Sequence, residues 1–99
     1  MDKIPKTKNF KGLKNQFITI FEDGVYFQSY DTVIVKVDYL GEILLDQDYW
    51  RFGQTQTTNK HFYAFLKEHY GSLPKGKVNK EYINKLIENG VIKLTQFNK

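Results

Sequence analysis

The chain has 99 residues, a formal net charge of +4 at pH 7, no cysteine, and 40% hydrophobic and 16% aromatic residues. That length fits one domain with a modest core, and the apolar content excludes a disordered chain. The composition also excludes disulfides and thiol chemistry, and no apolar run approaches the roughly 20 residues of a membrane-spanning helix. The N-terminal residues lack the apolar segment of a secretion signal, so we expect a cytoplasmic protein.

The charge is distributed unevenly along the chain. Residues 1–14 carry five Lys and one Asp, residues 15–50 carry one Lys and seven acidic residues, and residues 51–99 carry nine basic and three acidic residues. Basic ends favour contact with phosphate or with an acidic protein, although the same charges can simply keep an aromatic-rich domain soluble. Arg51 is the single arginine, which disfavours base-specific recognition of nucleic acid. The abundance of Asn, Ile, Tyr and Phe and the single Ala also fit an AT-rich genome, whose codon bias would by itself make arginine rare.

The first segment, residues 1–14, is rich in lysine and has neither a helical nor a strand-like period. It also contains Pro5 and Gly12, which interrupt regular structure. This pattern predicts an extended or partly ordered arm, followed by a single α+β domain at residues 15–99.

The next part of the chain has the composition of a sheet. Runs of β-branched and aromatic residues predict strands at residues 16–21, 25–30, 33–38 and 42–45. Asp23 and Gly24 favour a two-residue turn with positive φ, which would pair Phe21 with Tyr26 across the first hairpin. The four strands are therefore expected to form an antiparallel meander.

A polar connection at residues 46–58, with three aromatic residues inside it, leads to two helices. Apolar residues at helical spacing predict the first helix at 59–70 and the second at 80–89, with Asn79 as the N-cap of the second. A short strand at 91–97 follows. The predicted fold class is α+β, with an antiparallel four- to five-stranded sheet in the order β-β-β-β-α-α-β and two helices packed on one face.

The sequence offers little reaction chemistry. His61 and His69, the two histidines, are eight residues apart, which is too far along a helix for both to bind one metal ion. No serine lies in a nucleophile motif, and no glycine-rich phosphate loop follows a strand. We therefore predict no catalytic residue, no metal site and no cofactor, and we expect a binding protein rather than an enzyme.

Aromatic residues interleaved with basic residues form the strongest candidate for a binding site. They lie in the polar connection and on the first helix, outside its apolar stripe: Tyr49, Trp50, Arg51, Lys60, Tyr63 and Lys67. Such a set suits single-stranded nucleic acid, which stacks on aromatic rings beside cations, and equally suits a protein-binding hot spot. A third interpretation is that Trp50 and Phe52 fill the seam between the sheet and the helices.

The first hairpin offers an alternative site. Its predicted pairing places four aromatic residues on one face: Phe17, Phe21, Tyr26 and Tyr30. Both faces of the hairpin are partly apolar, so one face can pack on the core while the other remains an aromatic surface. Such a surface favours nucleic-acid binding.

Several motifs between residues 29 and 97 resemble those of a known family. They are Ser29-Tyr30-Asp31-Thr32 at a strand start, Leu45-Asp46-Gln47-Asp48-Tyr49-Trp50 before the connection, and Thr57-Thr58-Asn59-Lys60 at a helix start. They resemble a family of small uncharacterised proteins encoded by phages and prophages of low-GC Gram-positive bacteria, filed as a domain of unknown function. The chain departs from that pattern at Arg51-Phe52-Gly53 and in the lengthened loop that follows.

The resemblance implies a setting rather than an activity, namely a phage or mobile-element accessory protein in the cytoplasm of a bacterial host cell. We therefore expect a protein that binds and inhibits or redirects a host macromolecule, as anti-defence and anti-CRISPR proteins do. Its partner would be a host protein or a protein–RNA complex such as a CRISPR effector nuclease, with no role for a membrane. The alternative is a small basic protein that binds single-stranded DNA or RNA, which a pI near 9.2 favours.

Overall fold

The main structural element is a six-stranded sheet. In the computed structural model, which describes residues 6–69 and 78–98, the strands are β1 (Lys6–Asn9), β2 (Gln16–Phe21), β3 (Gly24–Ser29), β4 (Thr32–Asp38), β5 (Ile43–Asp46) and β6 (Ile92–Thr95). Neighbours in the sheet follow the order β1-β2-β3-β4-β5-β6. Two helices, α1 (Gln56–His69) and α2 (Lys80–Glu88), share one core with the sheet. The predicted α+β class is confirmed.

The last strand runs in a direction that differs from the prediction. The other four pairings are antiparallel, as expected, but β5 and β6 are parallel, with Ile43 opposite Ile92 and Leu45 opposite Leu94. A parallel pair requires a long crossover, and the connection from β5 through α1 and α2 supplies one. The chain therefore re-enters the sheet beside β5 in the same direction, and the expected antiparallel sheet is mixed.

Residues 6–14 belong to the folded domain rather than to a separate arm. β1 pairs with β2 along its whole length. Phe10, which follows β1, is only 1% exposed and packs edge-on against Phe27 and Phe65, with ring centroids 5.6 and 6.2 Å away. Burial of this one ring explains why a Lys-rich segment without apolar periodicity is held on the sheet. Residues 1–5 lie outside the described part of the chain.

The β2–β3 hairpin is shifted by two residues from the predicted register. Phe21 pairs directly with Gly24, so Glu22 and Asp23 form the turn, and neither has a positive φ. Gly24 is required for a different reason, because a Cβ there would lie 2.7 Å from the carbonyl oxygen of Val37 on β4. A shift of two residues keeps each side chain on its face, so the predicted division into a core face and an aromatic face is retained.

The core joins the sheet to both helices. Its most deeply buried side chains are Phe10, Phe27, Ile34, Val35, Ile43, Leu45, Phe62, Phe65, Leu66, Ile83 and Ile92. The apolar stripe predicted for α1 is confirmed at Phe62, Phe65 and Leu66, whereas His69 at the end of that stripe is half-buried. Burial of this stripe supplies the hydrophobic free energy that holds α1 on β3 and β4.

The ends of the helices follow local capping rules. Asn79 caps α2 as predicted, since its side chain accepts a 2.8 Å hydrogen bond from the amide of Tyr82. Gly90, with a φ of 77°, follows α2 in the left-handed conformation that commonly ends a helix. α1 begins at Gln56 rather than at residue 59, because the Thr55 hydroxyl accepts a 3.1 Å hydrogen bond from the amide of Thr58 and so caps the first turn.

Candidate binding clefts

Two aromatic residues of the predicted site, Tyr49 and Trp50, lie on a π-helical turn, Tyr49–Gly53, between β5 and α1. Tyr49 and Trp50 are buried, while Phe52 is 83% exposed. The Trp50 indole nitrogen donates a 3.0 Å hydrogen bond to Asn84 on α2. Trp50 thus lies in the core that the sheet shares with the helices, which agrees with the interpretation that it fills the seam between them, but Phe52 does not. Tyr49 and Trp50 are only 5% and 8% exposed, so they offer a ligand little surface.

A chain of buried and part-buried hydrogen bonds holds this turn against α1. The Tyr49 hydroxyl donates to the side-chain oxygen of Asn59, and the Asn59 amide donates to Gln54 over 3.0 Å. Gln54 in turn donates to the main-chain oxygen of Trp50 over 2.5 Å. Burial raises the pKa of the Tyr49 hydroxyl, which therefore stays protonated and remains a donor. This network forms a wall between two clefts.

The first cleft, which we call the basic groove, lies between α1 and the start of α2. It has a volume of about 1070 Å³, and its charged and aromatic lining residues are Lys60, Tyr63 and Lys67 of α1 and Lys80 of α2. Ala64 and Val78 add apolar surface to it. The groove therefore brings together three of the six residues that the sequence predicts for the binding site.

The basic groove is positively charged. No Asp or Glu is among its described lining residues, and within residues 6–69 and 78–98 none of its three lysines forms an ion pair. Tyr63 is half-buried in the groove, and burial raises the pKa of its hydroxyl, which is therefore a neutral hydrogen-bonding group beside these cations. An anionic ligand would meet three positive charges without a competing carboxylate.

Helical spacing accounts for only part of this groove. Lys60, Tyr63 and Lys67 recur at the interval that places side chains on one face of a helix, which is why the sequence could group them. Lys80 reaches the groove because α2 begins beside that face, and no local pattern connects it with α1. Arg51, the remaining predicted residue, is exposed on the π-helical turn and does not line the groove.

The second cleft, which we call the aromatic cleft, lies at the end of the sheet beside the π-helical turn. It has a volume of about 440 Å³, and two exposed rings line it, Tyr30 (61% exposed) and Phe52. Hydroxyl and carboxyl side chains complete much of its lining: Ser29, Thr32, Asp46, Asp48 and Thr58. No lysine or arginine is among its described lining residues. Its charge is therefore opposite to that of the basic groove.

Tyr30 reaches this cleft through an unusual backbone conformation. Its φ is 53°, in the left-handed region that bulky residues rarely adopt. Two hydrogen bonds hold it there: its amide donates to the main-chain oxygen of Asn15 over 2.7 Å, and its carbonyl accepts from the Gln28 side chain over 2.7 Å. The turn ends the alternation of β3, so Tyr30 does not join the hairpin face on which the sequence analysis places it.

The other three residues of that alternative site do share a face. Phe17, Phe21 and Tyr26 are half-buried on the side of the sheet away from the core. Phe97, which follows β6, packs edge-on against Tyr26 with ring centroids 6.0 Å apart. The Tyr26 hydroxyl also donates a 2.8 Å hydrogen bond to Asp23. This aromatic face is therefore partly covered by the chain itself.

Among residues 6–69 and 78–98, no three His, Asp or Glu side chains lie close enough together to hold a metal ion. Neither His61 nor His69 lines either of the two clefts. In the same described ranges, no helix is long and apolar enough to cross a membrane.

The fold and the clefts together define a small α+β domain with two oppositely charged recesses. The chain belongs to the DUF8033 family, a family of unknown function whose sequence model matches residues 2–85. No curated protein and no solved structure matches it. The matched range contains residues 2–14 of the Lys-rich first segment, the described residues of the basic groove, and every described residue of the aromatic cleft except Asn98.

Proposed function

We propose that this protein is a binding protein that holds an acidic segment of a partner protein in the basic groove and so inhibits or redirects that partner. The observation that carries the proposal is the convergence of Lys60, Lys67 and Lys80 on one groove whose described lining contains no acidic residue. Complementary charge steers such a partner to the groove and favours its retention. Ala64 and Val78 offer apolar surface for a side chain of the same partner.

Single-stranded nucleic acid is the second candidate, and one observation favours it. Tyr63 lies with Lys60 and Lys67 along α1, and an aromatic ring beside cations is the arrangement on which bases stack. Tyr49 and Trp50, the other aromatic residues of the predicted site, are buried. One half-buried ring and three lysines without an arginine make a weak nucleic-acid site, so an acidic protein fits the groove better.

The proposal includes the setting that the resemblance implies. A phage or mobile-element accessory protein would act in the bacterial cytoplasm, where a small binding domain can cover a working surface of a host protein or a protein–RNA complex such as a CRISPR effector nuclease. Membership of a family of unknown function is compatible with this setting. The support for the setting comes from the motifs around Ser29–Thr32 and Leu45–Trp50, and the support for the mode of action comes from the groove.

Charge reversal of the groove tests the proposal. The groove variant combines Lys60→Glu, Lys67→Glu and Lys80→Glu. The control variant combines Lys6→Glu, Lys14→Glu and Lys85→Glu, which are exposed positions outside the groove. Both variants change the net charge equally, so a difference between them reports the position of the charges. Fluorescence anisotropy measures the affinity of each protein for a glutamate-rich peptide and for an oligothymidylate of equal length.

We expect the groove variant to lose about tenfold or more in affinity for the peptide, and the control variant about threefold or less. A protein captured from a bacterial lysate by the wild type and the control variant, but not by the groove variant, would identify a natural partner. Equal losses in both variants would contradict the proposal. Tighter and more salt-dependent binding of the oligothymidylate, lost in the groove variant, would favour the nucleic-acid candidate.

A further inference from the structure

The aromatic cleft has no part in the proposed function, yet it concentrates exposed aromatic surface at one place. The strongly exposed large apolar residues of the described chain are Ile20, Tyr30, Tyr39, Leu40 and Phe52. Two of these five, Tyr30 and Phe52, line the same cleft. Exposed aromatic rings grouped around a recess mark an interaction site, whereas single exposed rings need no explanation.

Both rings are presented by uncommon backbone conformations. Tyr30 occupies the left-handed region, where a Tyr is disfavoured, and Phe52 lies on a π-helical turn. Conformations of both kinds are concentrated at functional sites, because folding alone would favour a less strained alternative. Here each conformation places a ring at the cleft.

The cleft is also anionic. Asp46 is only 2% exposed. Its two side-chain oxygens accept hydrogen bonds of 2.9 and 3.1 Å from the main-chain amides of Tyr49 and Phe97. These two main-chain donors fix the orientation of the Asp46 side chain at the edge of the cleft. Asp48 adds a second carboxylate to the lining. Arg51 lies on the same π-helical turn but does not line the cleft.

We propose that the aromatic cleft binds an arginine side chain presented by a basic segment of a partner protein. A guanidinium is flat, stacks on aromatic rings, and donates several hydrogen bonds in its plane, so it can contact Tyr30 and Phe52 while facing the carboxylates. The hydroxyls of Thr32 and Thr58 add acceptors at the same recess. Charge complementarity therefore selects a basic segment, the opposite of the partner proposed for the basic groove. This inference does not depend on the groove.

An NMR titration with short peptides tests the inference. The probe is a blocked Gly-Gly-Arg-Gly-Gly peptide, and the matched control carries citrulline, which has nearly the same shape as arginine but no charge. We expect the arginine peptide to shift the amide signals of Tyr30, Thr32, Phe52 and Gly53, and to bind about tenfold more tightly than the citrulline peptide. Equal binding of the two peptides, or shifts confined to other parts of the domain, would overturn the inference.

Two variants locate the binding. Phe52→Ala removes an exposed ring and should leave the fold intact. We expect it to lower the affinity for the arginine peptide about tenfold. Leu40→Ala is the matched control, since Leu40 is 95% exposed in the β4–β5 turn at the other end of the sheet, and it should bind as the wild type does. Unchanged affinity in Phe52→Ala would overturn the inference. So would a concentration-dependent dimer that Phe52→Ala abolishes, because the cleft would then serve a second copy of this chain.

Discussion

The basic groove and the aromatic cleft are lined by adjoining stretches of one short segment, and they are built in different ways. The groove takes Lys60 and Lys67 from one face of one helix. The cleft takes Tyr30 from the β3–β4 turn, Asp46 from the end of β5 and Phe52 from the π-helical turn. A site built on helical periodicity can be recognised in the sequence. A site assembled where several chain segments meet carries no such local pattern.

The two clefts nevertheless share one wall. Tyr49 lines the aromatic cleft, and Gln54 and Asn59 line the basic groove. The hydrogen bonds that run from Tyr49 through Asn59 to Gln54 cross between them. The shapes of both clefts therefore depend on one largely buried polar network, whose hydrogen bonds support one another.

Breaking this wall should have the largest effect. Asn59→Ala removes the acceptor of the buried Tyr49 hydroxyl and the donor to the half-buried Gln54 side chain, and we expect the free energy of unfolding to fall by about 2–3 kcal/mol. Urea denaturation followed by the fluorescence of the buried Trp50 measures this change. Both clefts should lose ligand affinity together.

Tyr63→Phe is the matched control for this prediction. It removes a half-buried hydroxyl from the same helix, and within the described residues that hydroxyl makes no hydrogen bond to another group. We expect its free energy of unfolding to stay within about 0.5 kcal/mol of the wild type. A loss for Asn59→Ala as small as this would mean that the polar network does not hold the wall.

The second prediction concerns a substitution that should abolish binding at the aromatic cleft while it stabilises the protein. Tyr30→Asn places a residue that tolerates the left-handed conformation where the φ is 53°, and both hydrogen bonds that hold this position are made by the backbone of residue 30. We expect the free energy of unfolding, measured by thermal denaturation, to rise by about 1 kcal/mol, and the arginine peptide no longer to bind at the aromatic cleft. The basic groove should bind its ligand as before.

A second exposed tyrosine provides the control for Tyr30→Asn. Tyr39 is 62% exposed, has no positive φ, and donates a 2.9 Å hydrogen bond to the main-chain oxygen of Phe21. Tyr39→Asn should therefore be neutral or destabilising. If Tyr30→Asn were destabilising to the same extent, the ring of Tyr30 would have a packing role, and relief of strain would not explain its position.

The smallest expected effect is that of pH. Burial lowers the pKa of His69 from 6.5, so the unfolded chain takes up a proton at this residue before the folded one does. Above pH 6.5 this residue adds no pH dependence, and below it the free energy of unfolding should decline as the pH falls toward the folded pKa. Urea denaturation between about pH 7.5 and about pH 5.5 measures the decline, and His69→Gln should flatten part of it.

This acid effect should be independent of both clefts, because no histidine is among their described lining residues. Acidification over that range should weaken the fold slightly through a residue that lines neither cleft. Stability that rises on acidification would contradict the assignment to His69.

The features that the sequence predicted correctly depend on neighbours in the chain. Asn79 before α2 and the stripe at Phe62, Phe65 and Leu66 follow from capping and helical spacing, which act over one or two turns. The hairpin register was predicted incorrectly because Gly24 was assigned to the turn. In the structure Gly24 lies in β3, where the close approach of β4 leaves no room for a side chain. The contact is with a strand that lies later in the chain, so no pattern in the neighbouring residues predicts it.

The sequence by itself determined the α+β class, the four-strand meander, the two helices and the face of α1 that carries Lys60 and Lys67. Only the tertiary structure decided that β6 runs parallel to β5, that Trp50 faces inward and that Phe52 faces outward. The physical reason is the range of the interactions. Periodicity and caps act between residues a few positions apart, whereas the burial of Trp50 depends on Asn84, 34 residues away, and on which helix packs beside it.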